Sequence, residues 1–295
     1  MSIDRILQKI EHIPAFPVTI GKVGQLIRDE NYEIKDLVDV IEYDQAITAN
    51  ILKMCNSAYF NVRNTISHVR DAVVYLGQDN LIQLILVAGV ARFYRDIRGY
   101  GISAATLWEH SIGVALMSRI LSERFFNRER HELFTAGLLH DIGKIVLGEF
   151  VFNSFQKIVD LVTYEKYSFL EAEEAILGMN HAEVGGRIAS SWNFPQEIVE
   201  IITFHHRPDL ARDDNKVNAW IVYLADQACM MMGIGGGTDN LSYRGLDLVM
   251  EKFKLTQAEF EECIVRLFED IMEARDLIRI VESKDIRKKE SVKGR

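Results

Sequence analysis

His140 and Asp141 stand together inside LFTAGLLHDIGKIVL, residues 133–147, where the only other polar side chains are Thr135 and Lys144. Read as a helix, such a segment is buried on most sides. A buried carboxylate is costly unless a cation or several hydrogen bonds compensate it. Lys144 follows His140 by four positions and Asp141 by three, so all three share one face. Taken alone, the segment fits a buried Lys144–Asp141 ion pair beside a hydrogen-bonded histidine as well as it fits a metal site.

Four other segments add to it. Leu107, His110, Val114, Met117 and Leu121 recur at helical spacing after a cap at Ser103, which puts His110 on an inward stripe. Ala219, Val222, Asp226 and Cys229 repeat the pattern and turn Asp226 inward. A helix opening after Pro195 carries Ile198, Ile201 and Ile202 toward His205, with His206 next and Pro208 ending it. Asn180-His181-Ala182-Glu183 reads as a helix start, and Gly185 and Gly186 permit another backbone to approach its first turns.

One inward histidine is usually a satisfied core residue. Five histidines and two aspartates at core-facing or helix-end positions are hard to satisfy with hydrogen bonds alone. A metal centre of imidazole and carboxylate is the economical explanation, and this donor set suits Fe, Mn, Zn or Ni better than Mg or Ca. His12, His68 and His131 lie in polar or turn-like contexts and read as surface residues.

The elements that must position these groups are helical. Only Pro14, Pro17, Pro195 and Pro208 occur, apolar residues recur at three-four spacing along the chain, and no run of regular alternating strands is present. Thr256 with Glu259 forms a capping-box pattern before an amphipathic segment ending near Val281. An all-α fold is expected. It divides into an N-terminal helical half over residues 1–100, a metal-bearing half over 101–230, a helical extension over 231–281 and a basic flexible tail over 282–295. The four glycines between Gly233 and Thr238 read as a flexible connector, because the Lys-Ser/Thr of a phosphate-binding loop is absent.

With 34 Lys+Arg against 43 Asp+Glu, the formal charge is −9, which argues against a nucleic-acid surface spread over the molecule. The longest nearly apolar run, Leu81–Val90, is half of what a membrane helix needs, at about 20 residues. MSIDRILQKIEHI lacks the apolar core of a signal peptide, and Cys55, Cys229 and Cys263 are far apart, so a cytoplasmic protein with reduced thiols is expected.

The chain resembles the HDOD family, the HD-related output domain of bacterial signalling proteins, from residue 13 to about 226. The resemblance is carried by IPAFPVTIGKVGQLI, by the run from Tyr43-Asp44-Gln45 to Asn56-Ser57-Ala58, by Ile66 to Val73 with Tyr75-Leu76-Gly77, and by Leu107-Trp108-Glu109-His110-Ser111. It continues through Ala136 to Lys144, Gly178 to Gly185, Trp192-Asn193-Phe194-Pro195 and His205-His206. The wider HD superfamily consists of helical metal-dependent phosphohydrolases. Resemblance to its cyclic di-GMP phosphodiesterase branch, the HD-GYP proteins, implies two ions: His110, His140, Asp141 and Asp226 on one, and Asp141, His181, His205 and His206 on the other. Asp141 would bridge them and Lys144 would contact phosphate.

The chain departs from that branch after His205-His206, where Arg207-Pro208-Asp209-Leu210-Ala211-Arg212 replaces the Gly-Tyr-Pro loop, and at Thr106, where some members carry an extra carboxylate. The family is regarded as regulatory, so the expected function is a signal-transduction output module with a retained metal site and little or no hydrolase activity. Its expected partner is a signalling protein or a small phosphate-bearing ligand, and a homodimer is allowed. The alternative is a phosphohydrolase in which Asp141 and Lys144 serve the reaction, with Arg207 and Arg212 as a substitute phosphate clamp. The third reading, a nucleic-acid-binding regulator, has only the basic tail in its favour.

Overall fold

The computed structural model describes residues 3–14, 19, 21–23, 33–57, 60, 62, 65–94, 99–126, 130–235 and 246–274. Among them the regular elements are all helices, as the sparse prolines and three-four periodicity predict. No described helix is long and apolar enough to cross a membrane. The chain divides into two compact units: Met1–Ile13 with Tyr94–Phe268, and Pro14–Phe93 with the stretch from Glu269 on.

In the second unit α2 (Ile34–Glu42), α3 (Gln45–Cys55), α4 (Val69–Leu76) and α5 (Gln78–Val90) pack on one another. The Asn56 side chain clasps Ile66, donating to its carbonyl at 2.8 Å and accepting from its N–H at 2.7 Å. Gly77, at φ 80°, makes the corner between α4 and α5, and α5 is buried from Leu81 to Val90.

The first unit carries all the candidate ligands, His110, His140, Asp141, His181, His205, His206 and Asp226, together with Lys144. Its helices are α1 (Ile3–Glu11), α6 (Ala104–Phe126), α7 (His131–Leu139), α8 (Gly143–Tyr164), α9 (Phe169–Leu177), α10 (His181–Ser191), α11 (Gln196–Phe204), α12 (Lys216–Met231), α13 (Leu246–Phe253) and, as far as Phe268, α14 (Gln257–Glu273). Ser103 caps α6 by accepting the Thr106 N–H at 3.0 Å. Nearly every α6 residue from Leu107 to Ser122 is buried, so α6 forms the centre against which α7 and α12 pack. Each apolar side chain buried there contributes roughly 1.5–3 kcal/mol. Its contact with α7 needs Gly137, where a Cβ would stand 2.8 Å from Ser118 Oγ and 2.9 Å from the Val114 carbonyl oxygen.

The capping box of Thr256 and Glu259 forms as expected, with Glu259 accepting the Thr256 N–H at 2.9 Å and Thr256 accepting the Glu259 N–H at 3.3 Å. Helix α14 ends at Glu273. The expected continuation to Val281, the basic tail 282–295 and Gly236–Thr238 lie outside the described residues. The three cysteines are buried free thiols. His12 and His68 are exposed, whereas His131, the first residue of α7, is half-buried, and its backbone carbonyl accepts from the Thr135 hydroxyl at 2.9 Å.

Candidate metal centre

Helix ends place most of the site. His140 is the residue that terminates α7, and a tight turn through Asp141 and Ile142 leads straight into α8 at Gly143. This corner sets the imidazole and carboxylate side by side, with Lys144 one step inside α8. Gly143 is what lets the corner meet the next element, since a Cβ there would lie 1.9 Å from the His181 carbonyl oxygen and 2.7 Å from Gly185 N. Asn180 caps α10 by accepting the Glu183 N–H at 2.8 Å, so His181 projects from the first turn. His205 ends α11 and His206 follows it. His110 and Asp226 come instead from the buried middles of α6 and α12.

All seven converge. His110 Nε2 lies 3.0 Å from Asp226 Oδ1 and 3.8 Å from Asp141 Oδ2, and His140 Nε2 lies 3.3 Å from Asp141 Oδ2 and 3.8 Å from Asp226 Oδ1. On the other side, His181 Nε2 and His205 Nε2 lie 3.4 and 4.0 Å from Asp141 Oδ1, and His181 Nε2 is 2.9 Å from His206 Nε2. The two oxygens of Asp141 therefore face two different groups. Ligand atoms of Asp141, His181, His205 and His206 all fall within 4.8 Å of one another, as do those of His110, His140 and Asp141. Asp226 adjoins the second group through His110. Lys144 Nζ donates to Asp141 Oδ2 at 2.7 Å, so the ion pair expected from the HD segment is present within the cluster rather than in place of it.

The outward nitrogens of four rings are tied to acceptors. His140 Nδ1 and His205 Nδ1 donate to the carbonyls of Gly137 and Ile202, both at 2.7 Å, His110 Nδ1 to that of Ile234 at 3.0 Å, and His181 Nδ1 to Glu173 Oε2 at 2.7 Å. Carbonyls and carboxylates only accept, so each neutral ring keeps its proton on Nδ1 and turns the Nε2 lone pair inward. Metal-binding histidines are oriented in this way. The inward atoms His140 Nε2, Asp141 Oδ1, His205 Nε2 and Asp226 Oδ2 are buried without hydrogen-bond partners. A lone pair at His110 Nε2 facing Asp226 Oδ1 at 3.0 Å demands a positive species, a proton or a metal ion. His181 Nε2 and His206 Nε2, 2.9 Å apart, likewise need a proton or a shared cation between them. The residues fit a metal.

The charges agree. Burial would raise the Asp141 carboxyl, but Lys144, His140 and His181 hold it well below the usual carboxylate range. Asp226 is likewise lowered, with His110 outweighing burial. Burial, with His140 and His181 alongside, pushes His205 down to about 3, and burial with His205 and His181 pushes His206 well below its ordinary value. His110 and His181 move up, because Asp226 and Glu173 respectively outweigh burial. Three buried carboxylates, Asp141, Asp226 and Glu173, face one buried ammonium, Lys144, an imbalance that favours a cation.

Several residues that build the site were not singled out in the sequence. Glu173 supports His181, yet in FLEAEEAIL it resembles part of a solvated acidic face. The signal was its place between Phe169 and Leu177 on one stripe, the same spacing that turns His110 inward. Gly235, at φ 77°, lies on His110, where a Cβ would be 2.2 Å from the His110 Cβ, and Ile234 supplies the carbonyl for His110. The glycine segment expected to be a connector thus begins as a wall of the site. The phosphate clamp that the hydrolase alternative would draw on is not formed. Arg207 makes two hydrogen bonds to Glu174, at 2.8 and 2.9 Å, and Arg212 Nε donates to Glu200 at 2.8 Å, so both guanidinium groups are held by carboxylates.

Comparison with known proteins gives the family. The HDOD domain model matches residues 13–208. The chain is similar to the crystal structure of an HDOD domain protein of unknown function from Geobacter sulfurreducens, 25% identical with a TM-score of 0.74, covering 95% of this chain and 99% of that one. A structure from Shewanella amazonensis SB2B under the provisional name of phosphohydrolase is 23% identical with a TM-score of 0.62, covering 89% and 97%. An uncharacterized protein of Treponema pallidum (strain Nichols) is 23% identical over 212 residues, 72% of this chain and 41% of the relative, so the chain spans about two fifths of that relative's length. With more than half of its residues matched by the family model, the chain belongs to the HDOD domain family.

Proposed function

We propose that this protein is a signal-transduction output module that holds two divalent transition-metal ions, Fe, Mn, Zn or Ni, and hydrolyses phosphodiesters weakly or not at all. His110, His140, Asp141 and Asp226 would hold one ion, and Asp141, His181, His205 and His206 the other. The observation that carries this reading is the split of Asp141, whose Oδ1 faces His181 and His205 while Oδ2 faces His140 and His110. Bound there, the ions would supply Lewis-acid charge and activate water.

The protein's own groups fix the rest. Backbone carbonyls hold the imidazole protons away from the site, Lys144 balances Asp141, and Glu173 orients His181. Substrate capture is the weak point. Arg207 and Arg212 are engaged by Glu174 and Glu200, which leaves the segment after His206 without a guanidinium directed to a phosphate. Misplacement of a substrate by about 1 Å costs on the order of 10²-fold in rate. Output then passes to a signalling protein or follows a small phosphate-bearing ligand, and a homodimer is compatible with this role.

The second reading, a metal-dependent phosphohydrolase, is favoured by the complete donor set together with Lys144. Elemental analysis followed by assay on bis(p-nitrophenyl) phosphate and cyclic di-GMP with added Mn or Fe separates the two. The module reading expects bound metal with turnover far below about 1 s⁻¹, the lower end of ordinary enzymes. Faster turnover that disappears in His140→Ala would promote the hydrolase.

A further inference from the structure

The four oriented imidazoles are not supported alike. His110, His140 and His205 donate to neutral backbone carbonyls, whereas His181 donates to the carboxylate of Glu173. Glu173 is fully buried and engages three donors, the His181 N–H at 2.9 Å, His181 Nδ1–H at 2.7 Å and the Tyr100 hydroxyl at 2.5 Å. Tyr100 is itself fully buried and lies in a turn of three left-handed residues, Gly99 at φ 80°, Tyr100 at φ 55° and Gly101 at φ 68°. The turn is pressed against α8, since a Cβ on Gly99 would stand 2.4 Å from the Gly148 carbonyl oxygen. A bulky residue at positive φ persists only where its surroundings over-determine it.

We infer that Glu173, held by Tyr100, is the positioning residue for one of the two ions only, the ion of Asp141, His181, His205 and His206. This inference rests on the two-ion reading above. Glu173 fixes the His181 tautomer with Nε2 inward, sets the ring's direction through its second bond to the His181 backbone, and makes the imidazole a stronger donor by placing a negative charge behind it. Tyr100 occupies the other carboxylate oxygen and so prevents Glu173 from turning away. Among the described residues, His110 and His140 donate instead to the neutral carbonyls of Ile234 and Gly137.

The test is stepwise titration of the chelated full-length protein with Zn or Mn, comparing wild type with Glu173→Gln, which keeps shape and removes charge, and with Tyr100→Phe. Glu173→Gln is expected to weaken one of two dissociation constants by about 10–100-fold. Tyr100→Phe should weaken the same one by less. In a His110→Ala background, which isolates the ion of His181, the Glu173→Gln loss persists; in a His206→Ala background it does not. Equal weakening of both ions, or no change in either, overturns the inference while the two-ion reading stands. A wild type that takes up no ion overturns both. Melting of the chelated variants checks folding, and Tyr100→Phe carries the test if Glu173→Gln does not fold.

Discussion

The backbone of Gly143 and that of His181 meet so closely that a methyl group on Gly143 would stand 1.9 Å from the His181 carbonyl oxygen. This contact brings the start of α10 to the turn between α7 and α8, and so brings the His181 imidazole to Asp141. Gly143→Ala must push α10 away. Overpacking of this kind costs typically about 1–3 kcal/mol, and a backbone obstacle belongs at the upper end. The variant is expected to melt at lower temperature and to lose the His181 ion before the His110 ion, read by calorimetry and by metal content.

Asp141 and Lys144 are both buried, and removal of one strands the other. Asp141→Asn should destabilise the chelated protein by about 3–5 kcal/mol. Adding Lys144→Met should restore much of that stability without restoring metal uptake. Denaturant unfolding of the single and double variants, alongside their metal content, separates the ion pair's structural part from the carboxylate's part in metal binding.

The His110 side of the cluster gives an independent case. Gly235 combines φ 77° with a position where a Cβ would meet His110 at 2.2 Å. Gly235→Ala should displace the Ile234 carbonyl from His110 Nδ1, with a loss of about 1 kcal/mol or more from the positive φ and the contact. The His110 ion should weaken and the His181 ion should not.

Much of this cluster was legible in the sequence because its members obey simple positional rules. His110 and Asp226 fall on inward stripes, His181 follows an Asn cap, and His205 and His206 end a helix opened by proline. Glu173 obeyed the same rule but was masked by Glu171 and Glu174, the acidic residues around it, one capping α9 and the other pairing with Arg207. The roles of Gly143 and Gly235 were hidden for another reason, since close approach of two backbones depends on tertiary packing that no local pattern encodes. The partners of Arg207 and Arg212 were hidden in the same way: their chemistry suits phosphate, as the hydrolase alternative required, but Glu174 and Glu200 hold them.

The pairing of Arg212 with Glu200 carries a pH dependence away from the histidine cluster. Burial would raise Glu200, but the Arg212 N–H, the Arg212 guanidinium and Asn215 outweigh it and lower its pKa. A carboxylate lowered in the fold contributes stability above its ordinary value of 4.5 and loses it as pH falls toward the folded value. Stability measured by urea unfolding should therefore drop below pH 4.5, and Glu200→Gln should flatten that drop. The same substitution should cost about 1–3 kcal/mol near neutrality through donors left unmatched.

The central claim is that one buried carboxylate joins two ions. The most direct measurement is the metal content of the full-length protein and of Asp141→Ala after reconstitution with Mn, Fe or Zn. The account predicts two ions per wild-type chain and loss of most of both in Asp141→Ala, with a lower melting temperature for the variant because bound metal adds to folding stability. A wild type that binds no metal, or an Asp141→Ala protein that keeps its full complement, would contradict it and leave Asp141 as the ion-pair partner of Lys144 alone.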